Sequence, residues 1–186
     1  MGTLSIVGTP IGNLGDITLR ALETLRQADV IACEDTRVTA RLLARYDIQK
    51  PLLIFHARSG KLASDRILAA LAEGKRVALV TDAGTPGISD PGNELVKIVR
   101  ERLKDEIRIE AIPGPSAVAA ALSIAGVHSD AFTFLGFLPH KKGRQTLFKE
   151  IAESERAVVF YESPPRIEKP PPSPPHVSPE ARPAPA

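Results

Sequence analysis

Short apolar runs alternate along the chain with amphipathic stretches of helical period. Residues 4–7 (LSIV), 30–33 (VIAC), 51–55 (PLLIF), 77–80 (VALV) and 107–112 (IRIEAI) have the length and aliphatic content of buried strands. Between them, residues 17–28 place Leu19, Leu22 and Leu25 at helical spacing, and residues 36–46, 62–74 and 92–103 read as three more helices. Asp16 is the expected N-cap of the first helix, and Gly74 closes the third. A strand–helix rhythm with short connections predicts an α/β fold, a parallel sheet with helices on both faces.

The rhythm restarts after IPGPS. Residues 117–126 read as a helix, 131–138 as a strand, 144–154 as a helix and 157–161 as a strand. The expected organisation is an N-terminal α/β domain over residues 1–113 and a partial, incomplete second α/β domain over 114–167, followed by a tail at 168–186. Ten prolines fall between positions 164 and 186, with almost nothing apolar among them. Such a segment cannot bury enough surface to offset its ordering entropy, so a disordered, Pro-rich tail is expected.

Composition narrows the class of protein. At 186 residues, 43% hydrophobic and 25% charged, the chain can bury a core. No apolar run approaches the roughly 20 residues that span a bilayer, and no signal peptide opens the chain, so no membrane association is expected. The lone Cys33 excludes an internal disulfide and fits a reducing, cytoplasmic compartment. His56, His128, His140 and His176 have no metal-ligand spacing with Cys33, and no metal site is expected. A net charge of +2 does not by itself announce a nucleic-acid binder.

Three Gly/Pro loops each follow a strand: GTPIGNLGD after the first, DAGTPGISDPG after the fourth and IPGPSA after the fifth. In a parallel sheet all three leave the carboxyl edge, where ligands bind, and they can form one crevice. The first loop is not G-x-G-x-x-G, since three residues separate Gly8 from Gly12, and it lacks the Gly-Lys-Ser/Thr of a phosphate loop. Prolines at 10, 86, 113 and 115 remove backbone N–H groups that would cradle a phosphate. A ligand read by shape, carbonyls and a few amides fits better.

ACEDTR places Glu34, Asp35 and Arg37 where the second strand meets its helix. Asp35 or Thr36 capping the helix and Arg37 pairing with an acid account for the cluster, and a charged group beside a substrate is the functional alternative. Cys33 reads as a small core residue. PHKKGRQ is the most basic short run, and Arg37, Arg41 and Arg45 recur at four-residue spacing on one helical face. As RNA contacts both would hold phosphates rather than read bases.

IVGTPIGNLGDITLRALETL, ACEDTR, LVTDAGTPGISDPG, IPGPSA, LGFLP and VVFYES occur in that order. Together they resemble the small-subunit ribosomal RNA methyltransferases of the tetrapyrrole methylase superfamily, from about residue 4 to 167. The resemblance implies two α/β domains with S-adenosyl-L-methionine bound between them. It implies transfer of the methyl group to the ribose 2′-hydroxyl of a cytidine in 16S rRNA of the small ribosomal subunit, and a possible homodimer. The cofactor site it implies falls on Pro10, Gly84, Thr85, Ile88, Ser116, Ala117, Tyr161 and Glu162. Glu34, Asp35 and Arg37 become candidate catalytic residues.

The implied chemistry suits the loops, because a sulfonium donor carries no phosphate. A carboxylate such as Glu34, Asp35 or Asp82, or water, can take the ribose proton, and Arg37 can hold the adjacent phosphate. Two departures stand against the family pattern. FHARSG stands where an acidic, Asn-containing segment follows His56's position in the family. The proline tail replaces the strands and helices that complete the second sheet, with Pro165 where a His is usual, as expected of a truncated or frame-shifted product lacking part of its site. A tetrapyrrole or other small-molecule methylase, and a non-catalytic binding module docking through its Pro-rich tail, are the alternative readings.

Overall fold

The computed structural model describes residues 1–57 and 59–163. The expected tail at 168–186 lies outside them. The described residues fall into two compact units, Met1–Ala121 and one beginning at Leu122.

In the first unit the five predicted strands form one parallel sheet: β1 (Gly2–Val7), β2 (Val30–Cys33), β3 (Leu52–Ile54), β4 (Arg76–Leu79) and β5 (Ile107–Ile112), in the order β3-β2-β4-β1-β5. Four helices connect them: α1 (Leu19–Gln27), α2 (Thr36–Arg45), α3 (Gly60–Ala72) and α4 (Gly92–Leu103).

Alternation along the strands divides the core in two. Val7, Ile31, Cys33, Ala78, Val80 and Ile112 pack with Leu22 and Leu25 of α1 and Leu42 and Leu43 of α2. Leu4, Val30, Ala32, Val77, Leu79 and Ile107 pack on the other face with Ile67 and Leu71 of α3 and Leu95 and Val99 of α4. Successive strand residues therefore serve opposite helix pairs, as a period of two requires. Each fully buried Leu or Ile contributes about 1.5–3 kcal/mol relative to exposure.

Two local expectations are corrected. Asp16 does not cap α1; it ends a short 3-10 turn (Leu14–Asp16), and the Thr18 Oγ1 accepts from the Ala21 N–H as the cap. Threonine wins because it directly precedes the first helical residue, whereas the extended residues Ile17 and Thr18 separate Asp16 from it. Leu19, taken as part of the apolar stripe, is 86% exposed, and the buried positions are Ala21, Leu22 and Leu25.

The second unit holds a two-stranded parallel sheet, β6 (Phe132–Phe137) against β7 (Ala157–Tyr161), joined through α6 (Arg144–Ala152). The short helix α5 (Ala117–Ile124) precedes it in the chain. Tyr161 packs between Phe134 and Phe137, with ring centroids 4.9 and 5.3 Å away, and Phe148 of α6 meets Phe160 of β7. Phe132 and Phe137 remain about half exposed.

Candidate active site

Because β4, β1 and β5 are parallel neighbours, the three Gly/Pro loops leave one edge of the sheet, and they touch there. The Thr9 N–H donates to the Gly84 carbonyl at 2.9 Å, and the Gly84 N–H returns a bond to the Thr9 carbonyl at 3.2 Å. Gly84 can close this bridge because its φ of +87° is open to glycine. Its missing Cβ would lie 3.5 Å from the Ile11 Cγ2 and 3.8 Å from the Pro115 carbonyl oxygen, so this one position touches both other loops. The loops after β1 and β5 meet where Gly8 crosses Gly114, with room for no side chain on either.

The path of DAGTPGISDPG is specified by its second aspartate. The Asp90 Oδ1 accepts from the Gly87 and Gly92 N–H groups, each at 2.7 Å. The carboxylate thus folds the loop round itself and serves an N–H of the first turn of α4. Sequence reasoning passed over this residue, although an acid directly before Pro-Gly at a helix start is a readable signal. It also passed over Thr9 and Thr81, which lie buried beneath the loops.

The charged residues of ACEDTR divide into two settings. Asp35 caps α2, accepting from the Arg37 N–H at 2.8 Å, and its carboxylate also holds the Arg37 guanidinium at 2.6 Å. These bonds to Arg37 hold its pKa down at about 2. Arg37 itself is 88% exposed. Glu34 is half-buried, and burial, then the nearby Asp90 and Asp82, push its pKa up against hydrogen bonds from the Thr81 hydroxyl and the Asp82 backbone. Asp82 is also pushed up, by desolvation first; its Oδ1 accepts from the Asp35 N–H at 3.2 Å, tying the end of β4 to the end of β2. The Cys33 thiol is buried in the core and its pKa is raised by that burial.

The remaining predicted residues are distributed between the two units. Pro10 and Gly84 are buried, Thr85 is half-buried and Ile88 is 50% exposed. Ser116 starts α5, its carbonyl accepting from the Ala120 N–H at 2.9 Å, and Ala117 is the first helical residue. All six of these belong to the first unit, whereas Tyr161 and Glu162 belong to the second. There the Glu162 carboxylate accepts from the Arg144 guanidinium at 2.9 Å, with side-chain exposures of 7% and 18%. Arg144 also stacks over Phe148, so the arginine of PHKKGRQ is a packed residue rather than a solvated one.

This edge favours a cation. Asp90 and Asp82 stand close enough to Glu34 to raise its pKa, and the guanidinium of Arg37 is held by Asp35. An anion placed against these carboxylates would be repelled and a cation attracted, whereas the Arg37 side chain is turned to solvent. Among the described residues no three His, Cys, Asp or Glu side chains are grouped so as to hold a metal ion, and no helix among them is long and apolar enough to cross a membrane.

Residues 3–170 match the Tetrapyrrole (Corrin/Porphyrin) Methylases family. The chain is 51% identical over 167 residues to the ribosomal RNA small subunit methyltransferase I of Thermotoga maritima, covering 90% of this chain and 74% of that protein. It is 49% identical over 167 residues to the protein of the same name from Escherichia coli O157:H7, covering 89% of this chain and 57% of that one, and 50% identical over 165 residues to that of Mesorhizobium japonicum, covering 88% and 55%. The chain thus spans between about half and three quarters of the length of these relatives. Among solved structures, a diphthine synthase superposes with a TM-score of 0.65 at 18% identity, over 87% of this chain and 65% of that one. A uroporphyrin-III-C-methyltransferase from Thermus thermophilus gives 0.56 at 25% identity, over 75% and 64%. The chain belongs to the tetrapyrrole methylase family, on the branch of the small-subunit ribosomal RNA methyltransferases.

Proposed function

We propose that this chain uses S-adenosyl-L-methionine to methylate the ribose 2′-hydroxyl of a cytidine in 16S rRNA of the small ribosomal subunit. The observation that carries the reading is the meeting of three proline-broken loops on one sheet edge, beside half-buried carboxylates. Pro10, Gly84, Thr85, Ile88, Ser116 and Ala117 would hold the cofactor through shape, carbonyls and the exposed apolar face of Ile88. The resemblance adds Tyr161 and Glu162. When bound, the cofactor supplies an electrophilic methyl group on a positively charged sulfur.

The chain's own residues then do three things. The loops fix one geometry, and orientation is the main source of acceleration in a displacement of this kind. Glu34 accepts the ribose proton on a carboxylate oxygen; its raised pKa makes it a better base than an exposed acid. Arg37, held in place by Asp35, offers its exposed guanidinium to the flanking phosphate, and Arg41 and Arg45 continue the same exposed face of α2.

The test is incubation of unmodified small subunits with labelled S-adenosyl-L-methionine and this chain, with a version extended to the relatives' length in parallel. Label in a cytidine ribose of 16S rRNA is the expected result. Label in a porphyrinoid but not in rRNA, or none in either with both versions, overturns the reading.

A further inference from the structure

The Thr9 side chain is buried to 2% exposure, yet it carries a hydroxyl. That hydroxyl lies 3.0 Å from the Thr81 carbonyl oxygen and 3.2 Å from the Gly84 carbonyl oxygen, and donates to them. The same residue exchanges two backbone bonds with Gly84. One residue of the first loop therefore grips both ends of the turn 81–84, from which Thr85 and Ile88 follow. Immediately before it, the Gly8 N–H donates to the Ile112 carbonyl at 3.0 Å, which fixes the same loop to the end of β5.

A buried hydroxyl needs a reason, since an aliphatic residue of the same shape fills the space without a polar group to satisfy. Packing alone does not supply it. Neighbouring Val7 is fully buried and apolar, and the Gly84 carbonyl already accepts from the Thr9 N–H, so the hydroxyl adds a second hold on the same turn and extends it to the Thr81 carbonyl.

We propose that Thr9 is a positioning residue for methyl transfer, holding the loop after β4 in its binding shape before any ligand arrives. The inference rests on the cofactor reading above. Thr9 acts through Gly84, Thr85 and Ile88 and does not itself touch the cofactor. Pre-forming the loop removes an ordering cost that binding would otherwise bear.

The experiment compares wild type with Thr9→Val, which keeps shape and loses the hydroxyl, and Thr9→Ser, which keeps the hydroxyl. Calorimetry with S-adenosyl-L-methionine is paired with amide hydrogen exchange across residues 82–92 and with a urea midpoint. The expected result is an affinity about tenfold weaker in the Val variant, the scale of one lost buried hydrogen bond, with faster exchange at Gly84 and Gly87, and recovery of both in the Ser variant. A Val variant with a lowered urea midpoint but wild-type affinity and exchange overturns the proposal, leaving Thr9 a packing residue. If wild type itself fails to bind, the cofactor reading falls; the exchange arm still decides Thr9, and equal protection of Gly84 in both proteins overturns it.

Discussion

A Cβ built on Gly8 would stand 2.8 Å from the Cα of Gly114, and one built on Gly114 would stand 2.9 Å from the carbonyl oxygen of Gly8. Both obstacles are backbone, so neither can swing aside. Gly8→Ala and Gly114→Ala should each push the first and third loops apart, cost about 1–3 kcal/mol in stability, and weaken cofactor binding about tenfold or more. Gly12→Ala, where nothing lies within 4 Å of the added carbon, should leave both unchanged. Urea titration and calorimetry on the three variants check this; equal effects at positions 8 and 12 would sink it.

The sheet was readable because its signal is local. Residues 107–112 and 92–103 were delimited as found, since aliphatic runs and amphipathic period are written in the residues themselves. That the three loops share an edge followed from parallel topology alone. Their mutual grip did not, because Thr9–Gly84 and Gly8–Gly114 are contacts across 75 and 106 positions that no local pattern encodes. The same holds for Arg144: PHKKGRQ looks like a solvated basic run until Glu162 is brought beside it.

Asp35 ties the start of α2 to Arg37, and its pKa falls from the ordinary 3.8 to about 2. The depressed value means that the fold favours the ionised form. Its stabilising contribution is complete above the unfolded pKa and disappears as pH falls through about 2. Asp35→Asn should therefore lower the urea midpoint at neutral pH and converge on wild type near the acid end of that window. A gap between the two proteins that does not narrow on acidification would show that the carboxylate charge is not what holds the helix start.

Arg144→Met removes the guanidinium from a carboxylate that is only 7% exposed. Losing one member of a buried pair costs about 3–5 kcal/mol, and among the described residues the second unit has two strands with which to absorb it. The variant should lose order in the second unit first, with Arg144→Lys intermediate. The chain has two tyrosines and no tryptophan. A Tyr46→Phe background leaves Tyr161 as the reporter of that unit, and its fluorescence should change at lower urea than the far-ultraviolet circular dichroism. Coincident transitions at the wild-type midpoint would contradict the argument.

Arg41 and Arg45 lie on the exposed face of α2, with no acid between positions 36 and 46. If they hold RNA phosphates, each neutralised contact should reduce the slope of log affinity against log salt by about 0.7 for a single strand. The double variant Arg41→Gln, Arg45→Gln should bind a 16S rRNA fragment more weakly at low salt, with a shallower salt dependence and unchanged affinity for S-adenosyl-L-methionine. Fluorescence anisotropy over a salt series is the measurement, and an unaltered slope would remove α2 from the RNA surface.

Glu34 differs from Asp35 in sign. Its pKa is raised, by burial first and then by Asp90 and Asp82, so the fold favours the protonated carboxyl. Its contribution is present below the ordinary carboxylate pKa of about 4.3 and is lost as pH rises through the higher folded value. Glu34→Gln should accordingly stabilise the protein at neutral pH relative to wild type, with the difference shrinking in acid. In the proposed reaction the same ionisation that weakens the fold would create the base. Methyl transfer by wild type should climb with pH through the folded pKa of Glu34, while Glu34→Gln should be slower by about 10²-fold or more and nearly flat over that range. Single-turnover rates across pH, beside urea midpoints at the same pH values, separate the two roles. A Gln variant that is more stable yet keeps the wild-type rate profile would pass the base to Asp82, the other raised carboxyl on the same edge. Asp82→Asn would then be the variant that flattens the profile.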